Sequence, residues 1–200
     1  EQVPMSQVFA YMRRNARTLI ALCGGFTCSA SVNWGVGAWL QTFFVRTHGW
    51  SVAEAGALQG GLTMGIGPLG TLLGGWLVDR YTARGITDAP MRVGMLGAAG
   101  MLLFAGLYPV VPSATVAAAL LVPVNLFAAL PWGAANAAIA EAMPSRMRGQ
   151  GSALFQLTVG MAGGIGPTLV ALITDRVFAD DNALRWSLSI TTVVGMVLTL

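Results

Sequence analysis

The sequence predicts an all-α membrane protein, a six-helix transmembrane bundle. Three observations carry that prediction. Only 10% of the residues are charged while 55% are hydrophobic, and the mean hydropathy is +0.68. A soluble domain carries about a quarter charged residues, so charges this sparse cannot cover a surface that faces water. Glycine is abundant at 26 residues, as expected where membrane helices pack closely. Six apolar segments approach or exceed the roughly twenty residues that span hydrocarbon.

The elements follow in order. Met5 to Arg17 reads as a small amphipathic helix, with Val8, Phe9 and Met12 opposite the basic cluster Arg13, Arg14 and Arg17. Such a helix suits the membrane interface. The spans are Leu19 to Val45, Ala53 to Val78, Val93 to Val111, Ala114 to Met143, Ser152 to Ile173 and Ala183 to Leu200. The last is short and ends inside an apolar run, and the chain begins at Glu1 without Met, so the expectation is one part of a longer protein. The expected division is a cytoplasmic segment, 1–18, and a transmembrane domain, 19–200.

All eleven basic residues are arginine. Arg13, Arg14, Arg17, Arg80, Arg84, Arg92, Arg146 and Arg148 fall on one side, against Arg46, Arg176 and Arg185 on the other. The positive-inside rule then places the amino end, the Asp79 loop and the Arg146 loop in the cytoplasm. The expected location is a cell inner membrane. The arginines are scattered at helix ends without aromatic interleaving, which argues against nucleic acid. Cys23 and Cys28, five apart in one apolar segment, do not share a helix face and read as packing residues. No metal or other cofactor is expected.

The second span carries glycines four apart: Gly56 and Gly60, Gly61 and Gly65, Gly70 and Gly74. Small residues at that spacing let backbones approach. The fifth span repeats the idea at Gly160, Gly163, Gly164 and Gly166. Pro68, Pro123, Pro131 and Pro167 are expected to interrupt helices within the membrane, which is tolerated where neighbours or a cavity satisfy the freed carbonyls.

Between the second and third spans lies Gly75-x-x-x-Asp79-Arg80-x-x-x-Arg84, read as a short charged turn. It resembles the loop motif of the major facilitator superfamily, which joins the second and third helices of each six-helix half. Thr82 stands where that family has glycine. Degraded copies are typical of the carboxy-terminal half, so the resemblance implies helices seven to twelve of a twelve-helix fold. Two further stretches, Gly37 to Trp50 and Pro144 to Gln150 followed by Gly166 to Asp175, look like the bacterial spinster-like branch. Animal relatives of that branch export sphingosine-1-phosphate and lysophospholipids.

The resemblance implies a cytoplasmic conformational latch at Gly75, Asp79, Arg80 and Arg84. An Asp just beyond a helix end can bond the free N–H groups that start a neighbouring helix. Glu141, at the cytoplasmic end of the fourth span, is the best carboxylate for Arg80 within this chain. Pairing with Arg146 or Arg148, or carrying a proton, are the alternatives for it. Polar and aromatic residues inside spans are candidates for lining a substrate cavity: Asn33, Trp34, Trp39 and Gln41 in the first, Gln59 and Thr63 in the second. Asn125, Trp132 and Asn136 in the fourth and Gln156 in the fifth complete the set. Interhelical hydrogen bonds and interfacial Trp belts are the structural alternative for each. Arg46 at the outer end of the first span reads as a gate or headgroup contact, or as a plain interfacial anchor.

The resulting expectation is no enzyme. It is a secondary transporter working by alternating access, proton-coupled through an acid in an amino-terminal six-helix half. The substrate is a lipid-like amphiphile such as a lysolipid or sphingoid phosphate, and the protein functions as a monomer in the lipid bilayer. Alternatives are a facilitator for organic anions, sugars or drugs, a membrane enzyme, and a receptor. The lone His48 has no acid nearby in sequence to support enzyme chemistry.

Overall fold

A computed structural model of the chain describes residues 4–180 and 183–200, with the side chains of Thr18, Leu22 and 136–142 outside the description. The helices are α1 (Met5–Arg14), α2 (Ala16–His48), α3 (Val52–Ala83), α4 (Ala89–Leu107), α5 (Ala114–Ala142), α6 (Arg148–Leu172) and α7 (Leu184–Thr199). A 3₁₀ turn, Ser145–Met147, precedes α6, and a π-helical turn, Ile173–Phe178, follows it. Among the described residues, five helical segments are long and apolar enough to cross a membrane, and α7 is shorter.

Local chemistry sets the ends. Helix α1 stops at Asn15, and Arg13 and Arg14 in its last turn complement the helix dipole. Its Val8 is fully buried while Phe9 stays exposed, and α1 rests against α2 and α6. Gly49, with φ of 69°, closes α2 in the left-handed region and donates its N–H to the Val45 carbonyl. Helix α3 then starts on a capping box: Glu54 N donates to Ser51 Oγ at 3.2 Å, and Ser51 N donates to Glu54 Oε2 at 2.8 Å. That reciprocal pair accounts for an acid at the start of a span.

Helix α3 runs on to Ala83, so Asp79 and Arg80 lie inside its last turns rather than in a turn beyond it. Nothing from Trp76 to Ala83 breaks a helix. Gly85, with φ of 81°, is the first residue able to reverse the chain, and the turn forms there. The prolines also depart from expectation, because α3, α5 and α6 continue through Pro68, Pro123, Pro131 and Pro167. Each proline removes one helical hydrogen bond, and tertiary contacts hold the flanks. The Pro131 ring packs where a Cβ on Gly97 would stand 2.8 Å away, and Trp39 Nε1 donates to the Pro167 carbonyl at 3.0 Å.

Close backbone crossings define the packing. Helices α3 and α5 make the most extensive contact. A Cβ on Gly70 would stand 2.6 Å from the Leu126 carbonyl oxygen, one on Gly74 would collide with the Leu130 carbonyl, and one on Gly133 would stand 2.6 Å from the Thr71 oxygen. Helices α2 and α6 cross where Gly35 and Gly166 meet. Of the α3 glycine pairs, only Gly70 and Gly74 are used this way. Gly60, Gly61, Gly65 and Gly67 face open space on the outer surface of the bundle. The core lies between α2, α4, α5 and α7, around Phe43, Phe44, Met101, Tyr108, Leu121 and Leu188.

Candidate functional site

Four of the residues singled out in the sequence meet in one cavity. Asn33 and Gly37 of α2, Gln59 and Thr63 of α3, Met101 of α4 and Asn125 of α5 line a space of about 100 Å³. Spacing explains the convergence. Asn33, Val36, Gly37 and Leu40 recur at helical intervals on α2, and Gln59 and Thr63 lie four apart on α3. Packing of α2, α3 and α5 around Met101 then turns the three polar faces toward one another.

Each amide in the cavity spends a donor on a backbone carbonyl. Gln59 Nε2 donates to Gly37 O at 2.9 Å, Asn33 Nδ2 to Ala128 O at 3.3 Å, and Asn125 Nδ2 to Leu121 O at 2.9 Å. An amide carries two donor hydrogens and an acceptor oxygen, so each keeps capacity for a solute. The first two bonds tie α3 and α5 to α2. They fix the rotamers, and the remaining hydrogen-bonding groups are presented at fixed places. Val36, Leu40, Leu121 and Val124 complete an otherwise apolar wall.

The other expected cavity residues lie elsewhere. Trp39 faces α6 through its bond to Pro167. Trp34 is 54% exposed and lies against Gly163. Trp132 shares a narrow cleft of about 10 Å³ with Asn33, Phe26 and Phe155. Gln41 is exposed, with Nε2 reaching toward Gly56 on α3, and Gln156 is exposed on α6. Asn136 and Glu141 fall outside the described side chains. The reading of the sequence missed Met101, because a methionine in an apolar span carries no polar signal.

The residues that the sequence suggested as a latch occupy the end of α3. Asp79, Arg80 and Arg84 are all exposed. The Arg80 guanidinium lies 5.2 Å from the centre of the Trp76 ring, one turn back on the same helix, a cation–π arrangement. Gly75 N would stand 3.0 Å from a Cβ on Gly133, so Gly75 lies at the α3–α5 crossing. Beyond the turn, Arg92 Nε donates to both carboxylate oxygens of Asp88 at 3.0 Å, and this hydrogen bond holds the Asp88 carboxyl below its usual range. Arg46 is exposed in the last turn of α2, where a cation complements the helix dipole.

A second feature is the aromatic cluster where α2 ends. Phe43 packs edge-on against Phe44, His48 and Tyr108 with centroids 5.2, 5.3 and 5.4 Å away, and Trp50 tilts onto Phe44 at 4.7 Å. The cluster joins the end of α2 to the end of α4.

Comparisons with known proteins bear on the whole chain. The family model described as Major Facilitator Superfamily matches residues 1–200. A search among curated proteins returns no match. Among solved structures, the chain is similar to a bacterial homologue of the human lysosomal transporter Spinster, in an inward-facing and unoccupied conformation. The TM-score is 0.68 at 22% identity, over 100% of this chain and 48% of that one. The chain thus spans about half the length of the solved structure it matches.

Proposed function

The chain belongs to the major facilitator superfamily, and from that premise we propose that it is the carboxy-terminal six-helix half of a proton-coupled secondary transporter for a lipid-like amphiphile. The convergence of Asn33, Gln59, Thr63 and Asn125 on one cavity carries the reading. Amide and hydroxyl groups set in an apolar wall suit a solute with a polar head and an apolar body. A space of about 100 Å³ is too small to enclose such a solute, so it forms one wall of a site whose other wall comes from an amino-terminal half. Residues 1–18 then link the halves on the cytoplasmic side of a cell inner membrane, and the complete monomer rocks between two states. The titrating acid lies in the partner half.

Asp79 and Arg80 act as the latch. They bind across the cytoplasmic face in the outward-facing state and release as that face opens, with Glu141 the acceptor for Arg80 within this half. The open glycine face of α3 at Gly60, Gly61 and Gly65 suits close packing by a helix of the other half. Arg46 meets a headgroup at the opposite end.

The test is transport by the full-length protein in proteoliposomes, using fluorescent lysolipids against a panel of sugars, organic anions and cationic drugs under an imposed proton gradient. Gradient-dependent movement of lysolipid alone supports the reading. Movement of a small polar solute instead would assign the amides to that cargo.

A further inference from the structure

Several exposed arginines are already engaged. Arg80 and Arg185 lie over Trp76 and Trp186, Arg92 pairs with Asp88, and Arg148 reaches the Met143 carbonyl. Arg13 and Arg17 are exposed and make no ion pair among the described residues. Arg13 sits in the last turn of α1, where a cation complements the helix dipole. Arg17 is the second residue of α2, whose first turn holds no acid. A cation there opposes the dipole, so the stability of α2 does not account for it.

Their neighbours on the surface are apolar. Helical hydrogen bonding continues across the junction of α1 and α2: Asn15 N donates to Tyr11 O and Leu19 N donates to Asn15 O, both at 3.1 Å. Residues 5–20 therefore share one helical register, with a bend where Asn15 takes a ψ of 23°. At about 100° per residue, Val8 and Leu19 fall within about 20° of each other, and both are buried. Met5, Phe9, Arg13, Arg17 and Ile20 fall in one arc of about 120°, centred roughly a third of a turn from that buried stripe. The two arginines thus stand four residues apart with exposed apolar side chains on either side, Phe9 at 55% and Ile20 at 70%. Ile20 belongs to a helix that spans the membrane, so hydrocarbon covers it one turn from Arg17. Beyond Arg17, α1 rests against α2 and α6 instead of running on into water.

We propose that Arg13 and Arg17 bind the phosphate of an anionic phospholipid and so hold α1 on the membrane surface. A phosphate between two guanidinium groups accepts charge-assisted hydrogen bonds from both. Met5, Phe9 and Ile20 meet the upper part of the acyl chains, as the apolar side of an interfacial helix does. A soluble acidic partner would suit the arginines but leave those three residues in water. A zwitterionic headgroup brings its own cation to the same place, and an anionic one does not. The site lies apart from the amide cavity and from the end of α3, and it does not depend on which solute the protein transports.

The experiment places the full-length protein in nanodiscs of phosphatidylcholine alone and of equimolar phosphatidylcholine and phosphatidylglycerol, and follows amide hydrogen exchange by mass spectrometry. Amides of residues 8–17 should exchange roughly tenfold more slowly with phosphatidylglycerol present, the scale of two arginines at an anionic surface. The difference should shrink as salt is raised. It should vanish in Arg13→Gln/Arg17→Gln and largely persist in Arg13→Lys/Arg17→Lys, which keeps the charge. Arg92→Gln, the same change of charge at the same end of the bundle, should leave it intact. Equal exchange in the two membranes overturns the proposal. So does a difference that survives in Arg13→Gln/Arg17→Gln, one lost as fully in Arg92→Gln, or one lost in the lysine pair with an unchanged melting transition. Equal protection by inorganic phosphate in phosphatidylcholine discs also overturns it, because the ligand is then the free anion.

Discussion

Gln59 Nε2 donates to the backbone carbonyl of Gly37 at 2.9 Å, joining α3 to α2 beside the amide cavity. The amide reaches the helix backbone itself, and a Cβ at position 37 would meet nothing within 4 Å. The bond has a structural and a recognition consequence that one variant separates. Gln59→Leu keeps the approximate volume and leaves the Gly37 carbonyl without its partner. The expected loss is roughly 0.5–1.5 kcal/mol of stability. If the remaining amide atoms contact solute, KM for the transported solute also rises several-fold. Thermal melting in detergent reads the first effect, and uptake kinetics read the second. A rise in KM without change in melting is equally consistent with the site. Unchanged kinetics would remove Gln59 from it.

The α3–α5 crossing makes a sharper distinction among glycines that look alike in sequence. A methyl on Gly74 collides with the Leu130 carbonyl, while one on Gly65 meets nothing within 4 Å. Gly74→Ala should cost about 1–3 kcal/mol through overpacking, seen as a lowered melting temperature of the purified protein. Gly65→Ala should not lower it when the protein is reduced to this bundle. In the complete transporter, Gly65→Ala should slow transport if another helix packs there.

That contrast shows what the sequence could and could not convey. Helix count, order and apolar character follow from hydropathy, because hydrocarbon leaves a membrane helix few alternatives. Asn33, Gln59, Thr63 and Asn125 stand out in the sequence because polar side chains inside spans are costly and few, but their convergence does not. Spacing on one helix does not reveal which neighbour a residue faces, and so Trp34, Trp39 and Gln156 point elsewhere. Glycine spacing marks possible crossings without saying which are occupied. The continuation of α3 past Asp79 depends on Gly85 being the first residue to take a left-handed conformation, which only the backbone displays.

The Asp88–Arg92 pair gives a pH expectation. Asp88 is the residue before α4, and Arg92 holds its carboxyl below the usual range. A depressed folded-state pKa means that the contribution is present above the ordinary Asp value and is lost as pH falls through the lower folded value. Both side chains are exposed, at 53% and 56%, so the effect is local. Hydrogen exchange of the amides in the first turn of α4 should accelerate below the ordinary Asp range, beyond the intrinsic pH trend. Asp88→Asn should abolish that acid-induced step. An acid-induced step of the same size in Asp88→Asn assigns it to another carboxylate.

Asp79 offers the most direct test of the latch. It is exposed near the end of α3, four residues before the helix finishes, and Arg80 beside it rests over Trp76. An acid near a helix C-terminus opposes the helix dipole, so within this bundle Asp79 contributes nothing favourable to its own helix. Asp79→Asn removes that repulsion and should leave the melting temperature unchanged or slightly raised. If the carboxylate pairs across the cytoplasmic face in one transport state, the same change destabilises that state alone. Transport should then slow by roughly tenfold, the effect of about 1.4 kcal/mol on one conformational equilibrium. Arg80→Gln should act in the same direction, and the double variant should cost less than the sum of the two. Transport assays in proteoliposomes and melting of the same preparations give both readouts. A variant that transports at the parental rate with an unchanged melting temperature would show that Asp79 and Arg80 mark the cytoplasmic end of α3 and do nothing more.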